Sequence, residues 1–197
     1  MASTESVLAQ LDALDRDSSL IAGRDSVAIE LMESFAIDRH RLALLVDRYR
    51  GSKSEYILAS LAFVLARRAA DEQDVGTQTL YRMIQSLMSV DHPAILQCCL
   101  SAIQQKLMLL DTLPAWIASS EIADFVLHSV RYSGRDAWVV HGSAVELLLA
   151  LGDKRLAPRI FSNPQLGELR RSLSDLLGIA RGKIRPDIEA VIRTLST

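Results

Sequence analysis

Little in this chain would interrupt a helix. Nine glycines and five prolines are spread over 197 residues, too few for a loop-rich chain. Aromatic residues make up only 5%, and alternating runs of Val, Thr and aromatic side chains are missing, which argues against a sheet protein. The two cysteines, Cys98 and Cys99, are adjacent. Neighbours on one helix point in different directions and do not readily bond each other, so no intrachain disulfide framework is expected and a reducing compartment fits. The longest nearly apolar run, Tyr56 to Ala66, is interrupted by Ser60, whereas a membrane-spanning helix needs about 20 such residues. Met1 to Ser6 carry neither the basic nor the apolar region of a secretory leader,. A soluble, cytoplasmic protein is the expectation.

Charge of one sign is also scarce. The net charge is −2, so no global field directs the chain to nucleic acid or to an acidic membrane surface. The distribution is less even: residues 1–76 balance to −4, residues 77–153 to −3 and residues 154–197 to +5. The basic end could meet an acidic partner, but solvated Arg and Lys on a terminal helix pair is the commoner meaning of such a run.

What is present is apolar periodicity. Apolar residues are 49% of the chain, and they recur at helical spacing between identifiable start and stop signals. Val7, Leu8, Leu11 and Leu14 make residues 5–14 a short amphipathic helix or docking segment. Asp25 or Ser26 caps a helix to about Phe35, and Asp38 opens another with Leu42, Leu45, Val46 and Tyr49 on one face, ended by Gly51,. Ser52 or Ser54 opens a helix to Ala70 that is apolar nearly all round and therefore central,. Asp74 starts the next, striped by Leu80, Ile84, Leu87 and Met88, and Asp91-His92-Pro93 starts one to about Leu110,. Leu113-Pro114 breaks the chain before a short turn at Trp116. Residues 120–131 form a helix with Ile122, Phe125, Val126 and Val130 inward. After Gly134 a helix runs from about Asp136 until Gly152 stops it. A short one around Arg155–Phe161 follows, Asn163-Pro164 begins one ending near Gly178, and Pro186 begins the last.

Three of these segments share a pattern. Tyr56–Val64, Ile95–Ile103 and Val140–Leu148 align at offsets of 39 and 45 residues. Small side chains coincide at Ala59, Cys98 and Ser143, and again at Ser60, Cys99 and Ala144. Large apolar ones coincide at Leu61, Leu100 and Val145, and at Val64, Ile103 and Leu148. Small residues let a neighbouring helix approach, and large ones fill the layer between repeats. A period near 40–47 fits two antiparallel helices with their turns.

These residues resemble HEAT repeats, most closely in Asp136-Ala137-Trp138-Val139-Val140-His141-Gly142-Ser143-Ala144-Val145-Glu146-Leu147-Leu148-Leu149-Ala150-Leu151-Gly152-Asp153. The resemblance covers residues 54–161 well. It implies an all-α fold, a right-handed α-α superhelix of about four to five HEAT-like helix pairs. Residues 1–22 are then a short N-terminal helix or docking segment, 24–161 the repeats and 162–197 basic capping helices. An irregular helical bundle is the alternative.

Chemistry is the last absence. His40, His92, His128 and His141 have no histidine partner one turn away, and neither His-Glu-x-x-His nor Cys-x-x-Cys occurs, so no metal site is expected. No Gly-rich phosphate loop is present, and Gly142-Ser143 lacks the flanks of a nucleophile elbow,. No cofactor is expected. Trp116 and Trp138 fit core or ridge positions better than a stacking platform. Cys98 or Cys99 could serve as a nucleophile only if His128 or His141 lay nearby; cysteine packed as a small hydrophobe is commoner.

The candidate surface is therefore the polar face of the second helix of each pair. It carries Arg41 and Arg48, then Gln78, Arg82 and Gln85, then Glu121, Asp124, His128 and Arg131. The expected function is a non-catalytic scaffold, adaptor or regulatory protein whose partner is another protein. The alternatives are an immunity- or antitoxin-type protein that neutralises a partner enzyme, a small-molecule or enzymatic pocket near Cys98, His128 and His141, and a nucleic-acid binder using the basic end.

Overall fold

A computed structural model of the chain describes residues 4–16, 24–71, 77–109, 117–153, 155–182 and 184–195. Among these residues there are eleven helices and no strand. They are α1 (Thr4–Arg16), α2 (Arg24–Phe35), α3 (Arg39–Tyr49), α4 (Glu55–Asp71), α5 (Thr77–Met88), α6 (Pro93–Leu109), α7 (Ser120–Arg131), α8 (Ala137–Asp153), α9 (Ala157–Ile160), α10 (Asn163–Ile179) and α11 (Ile184–Thr194). No helix among the described residues is long and apolar enough to cross a membrane. The chain divides into two compact units, Met1–Cys99 and Leu100–Thr197.

Local signals place several of the helix ends. The Asp38 carboxylate accepts the Arg41 amide at 2.9 Å and starts α3. The Ser119 hydroxyl accepts the Ile122 amide at 3.4 Å and starts α7. Each such cap is worth about 1 kcal/mol. At α10 the Gln165 side chain reaches back to accept the Ser162 amide at 2.9 Å, one half of a capping box.

Two expected ends fall elsewhere. Asp25 and Ser26 lie inside the first turn of α2, which already begins at Arg24. Gly152 does not stop α8, which runs through it to Asp153. The stop is a Schellman closure, in which the Leu156 amide donates to the Leu151 carbonyl at 2.8 Å and the Arg155 amide to the Gly152 carbonyl at 2.9 Å. The left-handed position of this closure is Arg155, with φ 52°, where glycine is the usual residue. Gly152 instead permits a close approach, since a Cβ there would sit 2.9 Å from the Thr194 hydroxyl oxygen of α11. Arg155→Gly is expected to stabilise the protein by about 0.5–1 kcal/mol, because a side chain in the left-handed region costs about 1–2 kcal/mol. Thermal unfolding should show a small upward shift in Tm, and an unchanged or lower Tm would refute the argument. The expected helix start at Asp74, the break at Leu113-Pro114 and the turn at Trp116 lie outside the described residues.

In the N-terminal unit α1 packs on α2, and successive helices from α2 to α5 pack on one another. α2 also packs on α4, and α3 on α5. In the C-terminal unit α7 packs on α8 and α10 on α11, while α7 also packs on α10 and α8 on α11. The short α9 sits against α7 and α8. In both units, then, helices touch a neighbour in sequence and also a helix two or three places further on.

The large residues of the small-then-large pattern are core residues in all three segments, whereas of its first small set only Ser143 is buried and Ala59 and Cys98 are half-buried. Leu61, Leu100 and Val145 are buried, as are Val64, Ile103 and Leu148. Ser60, Cys99 and Ala144 are buried beside them. Each large aliphatic side chain taken fully out of water contributes about 1.5–3 kcal/mol. α4 is buried over most of its circumference, as its composition implies, with Phe63 and Arg67 on the exposed side. Trp138, expected in core or ridge surroundings, is 74% exposed.

Candidate functional site

The polar residues expected to form a partner surface differ in what they touch. On α3, Arg48 reaches α1, its Nε donating to Asp12 Oδ1 at 2.9 Å. The Tyr49 hydroxyl donates to the same oxygen at 2.8 Å. The Asp15 carboxylate and Leu14 carbonyl of α1 accept from the Ser52 and Tyr56 hydroxyls. Arg48 is thus a clamp holding the N-terminal helix. Its guanidinium, with help from Tyr49 and against the effect of burial, keeps the Asp12 carboxyl below the usual carboxylate range. Burial and the Asp12 bond push the Tyr49 phenol well above its ordinary value.

Arg41 lies over the Phe35 ring, 5.8 Å from its centroid, and 3.9 Å from the Asp38 carboxylate. Arg82 on α5 is exposed. Gln85 on the same helix is half-buried, and Gln78 lies in its first turn.

On α7, Glu121, Asp124, His128 and Arg131 are all exposed, one stripe at three- and four-residue spacing. Two of them join α10. Asp124 accepts from Gln165 Nε2 at 2.9 Å, and Arg131 Nε donates to the Ser172 hydroxyl at 2.9 Å. Arg131 is also ion-paired with Glu168. Both hydrogen bonds connect residues 41 positions apart. A constant offset means that α7 and α10 run in the same direction, in register.

That register leaves a cleft in the C-terminal unit. In step with Arg131, α7 ends beside Ser172, but α10 continues to Ile179, about 10 Å further at helical rise. The overhanging face of α10 has no α7 beside it. The space is a cleft of about 900 Å³ between Glu168, Arg171, Ser172, Asp175, Leu176 and Ile179 on one side and the α7–α8 connection on the other. Val130, Tyr132 and Leu176 give it buried apolar surface. Ile179, at its end, is 73% exposed. Arg171 and Asp175 are exposed and form no ion pair or hydrogen bond among the described residues.

The α7–α8 connection is held by His141, whose Nε2 donates to the Tyr132 carbonyl at 2.7 Å. A proton on Nε2 makes the neutral ring an acceptor at Nδ1. Burial depresses the basicity of the imidazole, and the carbonyl bond only partly offsets it. Gly134 completes the turn, because a Cβ there would overlap the Tyr132 hydroxyl. Asp136, with φ 53°, leads into α8 in the left-handed region that Asp tolerates better than most residues.

Of the three residues considered for a reactive pocket, only His141 lines this cleft. His128 is exposed on α7, and Cys98 belongs to the N-terminal unit. Burial pushes the Cys98 thiol up to about 11 and Cys99 higher still, so both are protonated near neutrality and poorly nucleophilic. No group of three or more His, Cys, Asp or Glu side chains suited to a metal ion occurs among the described residues. No protein-family model and no curated protein matches the chain.

Proposed function

We propose that this chain is a HEAT-like protein of the α-solenoid superhelical type that binds another protein and performs no chemistry itself. The observation that carries this reading is the 41-residue register of α7 and α10, a spacing within the range of a two-helix repeat. Counterpart packing of α2 with α4, α3 with α5 and α8 with α11 supports the same assignment. Stacked helix pairs present long polar faces on fixed backbones, which suits recognition of an extended partner surface. Helix faces without a convergent set of nucleophile, base and oxyanion donors do not suit catalysis.

The contacts of each side chain select the residues for a test. Arg48, Asp124 and Arg131 join helices within the chain, so changing them would disturb the fold and the surface together. Arg82 is exposed on α5; Arg41 is partly covered and also meets the Phe35 ring of α2 and Asp38, so its replacement is made only alongside a check of folding. Tagged protein expressed in its own cells should bring down a stoichiometric partner, and Arg82→Glu combined with Arg41→Glu should lower its recovery at least tenfold while circular dichroism stays unchanged. Recovery equal to wild type in a folded double variant would remove this surface from the interaction. Absence of any stoichiometric partner would count against the scaffold reading.

A further inference from the structure

We infer that the cleft beyond the end of α7 is a docking slot for a short amphipathic helix of a partner protein. The inference rests on the protein-binding reading above and gives it a place. Its basis is the shape of the vacancy. Over most of its length α10 is flanked by a parallel helix, and for its last two turns it is not. The cleft, about 900 Å³ and open to solvent, is large enough to admit two turns of helix about 10 Å long and 10 Å wide. An incoming helix laid along α10 would take the place that two further turns of α7 would have filled.

The lining sets the chemistry of that helix. Val130, Tyr132, Leu176 and Ile179 offer apolar surface, which calls for two large aliphatic residues one turn apart on the guest. Arg171 and Asp175, one turn apart on α10 and without intramolecular partners among the described residues, call for an acidic and a basic residue at matching spacing. The Arg131–Glu168 pair closes the slot at its inner end. An extended segment fits less well: its backbone amides and carbonyls would need partners, and the lining supplies mostly side-chain charges and carbon. A helix satisfies its own backbone.

The test uses the full chain and a synthetic probe, a fluorescein-labelled peptide of about 12 residues with two Leu one turn apart flanked by one Glu and one Lys on an Ala-rich background, long enough for partial helicity. Fluorescence anisotropy should give saturable binding in the micromolar range. Ile179→Glu, at an exposed position, should weaken it at least tenfold. The double variant Arg171→Glu, Asp175→Arg should do the same and should regain most of the loss with a probe whose Glu and Lys are exchanged. No saturable binding to the folded wild type overturns the slot, and so does binding indifferent to all these changes. If a native partner is nevertheless retained by wild type and lost on Arg82→Glu with Arg41→Glu, the scaffold reading stands and only the slot falls.

Discussion

Replacing His141 with alanine is expected to destabilise the C-terminal unit by about 3 kcal/mol. The imidazole is buried in α8 and is a hydrogen-bond donor to the Tyr132 carbonyl. Removing it takes the hydrogen-bond partner from the carbonyl of the buried Tyr132, a loss of about 1–3 kcal/mol, and the lost side-chain packing adds to it. Hydrogen exchange should show faster opening in α7 and α8, and wild-type protection of their amides in His141→Ala would refute the assignment. The same group gives a pH dependence of known sign. Its folded basicity lies below the ordinary value of 6.5, so on acidification the unfolded chain takes up the proton first. The contribution is complete above about 6.5, declines as pH falls toward the folded value, and then changes no further. His141→Gln, which retains an amide donor but does not titrate, should flatten that slope.

The second large effect is expected at Asp12. Its carboxylate receives the Arg48 guanidinium and the hydroxyl of Tyr49, which is 1% exposed. Asp12→Ala leaves that hydroxyl buried without its acceptor and frees α1 from α3. A loss of about 2 kcal/mol follows from the unmet phenol and the lost charge-assisted bond, after allowing for the exposure of Arg48 to solvent. The effect should be local, with tryptic cleavage after Arg16 accelerating several-fold while the C-terminal unit keeps its exchange rates. In wild type the Asp12 carboxyl titrates below its ordinary value of 3.8, so the clamp is intact above that pH and is lost as pH falls through the folded value. Cleavage after Arg16 that is equally slow in Asp12→Ala would show that α1 is held by its apolar contacts on α2 alone.

The helical content was legible because apolar periodicity and caps agree along the chain. Residues 120–131 show this best: Ser119 caps the start, the inward set Ile122, Phe125, Val126 and Val130 is buried, and no competing signal intervenes. The burial of Leu61, Leu100 and Val145 and of Val64, Ile103 and Leu148 was legible for the same reason. The end of α8 was misread because its left-handed residue is an arginine, while the glycine three positions earlier serves a contact with α11. Composition cannot separate those uses of glycine.

The cleft was not legible. It arises from a difference in length between two helices held in register, and a length difference shows only once the register is known. A signal did exist: Gln165 and Ser172 stand 41 residues after Asp124 and Arg131. A polar stripe on a helix is compatible with solvent, with a partner protein or with a parallel neighbour in the same chain, and its spacing alone does not choose among them. Only coordinates assign Asp124 and Arg131 to the third of these.

The same register also bears on synthesis. When Arg131 is added to the growing chain, the serine and glutamate that will hold it do not yet exist; Ser172 follows 41 residues later. At roughly 5–20 residues per second that interval lasts about 2–8 s. During it, the faces that α7 and α8 later turn to α10 and α11 are uncovered. Only when α10 and α11 have been made can those faces be covered, so a chain stalled before Ser172 carries α7 and α8 with apolar surface exposed,.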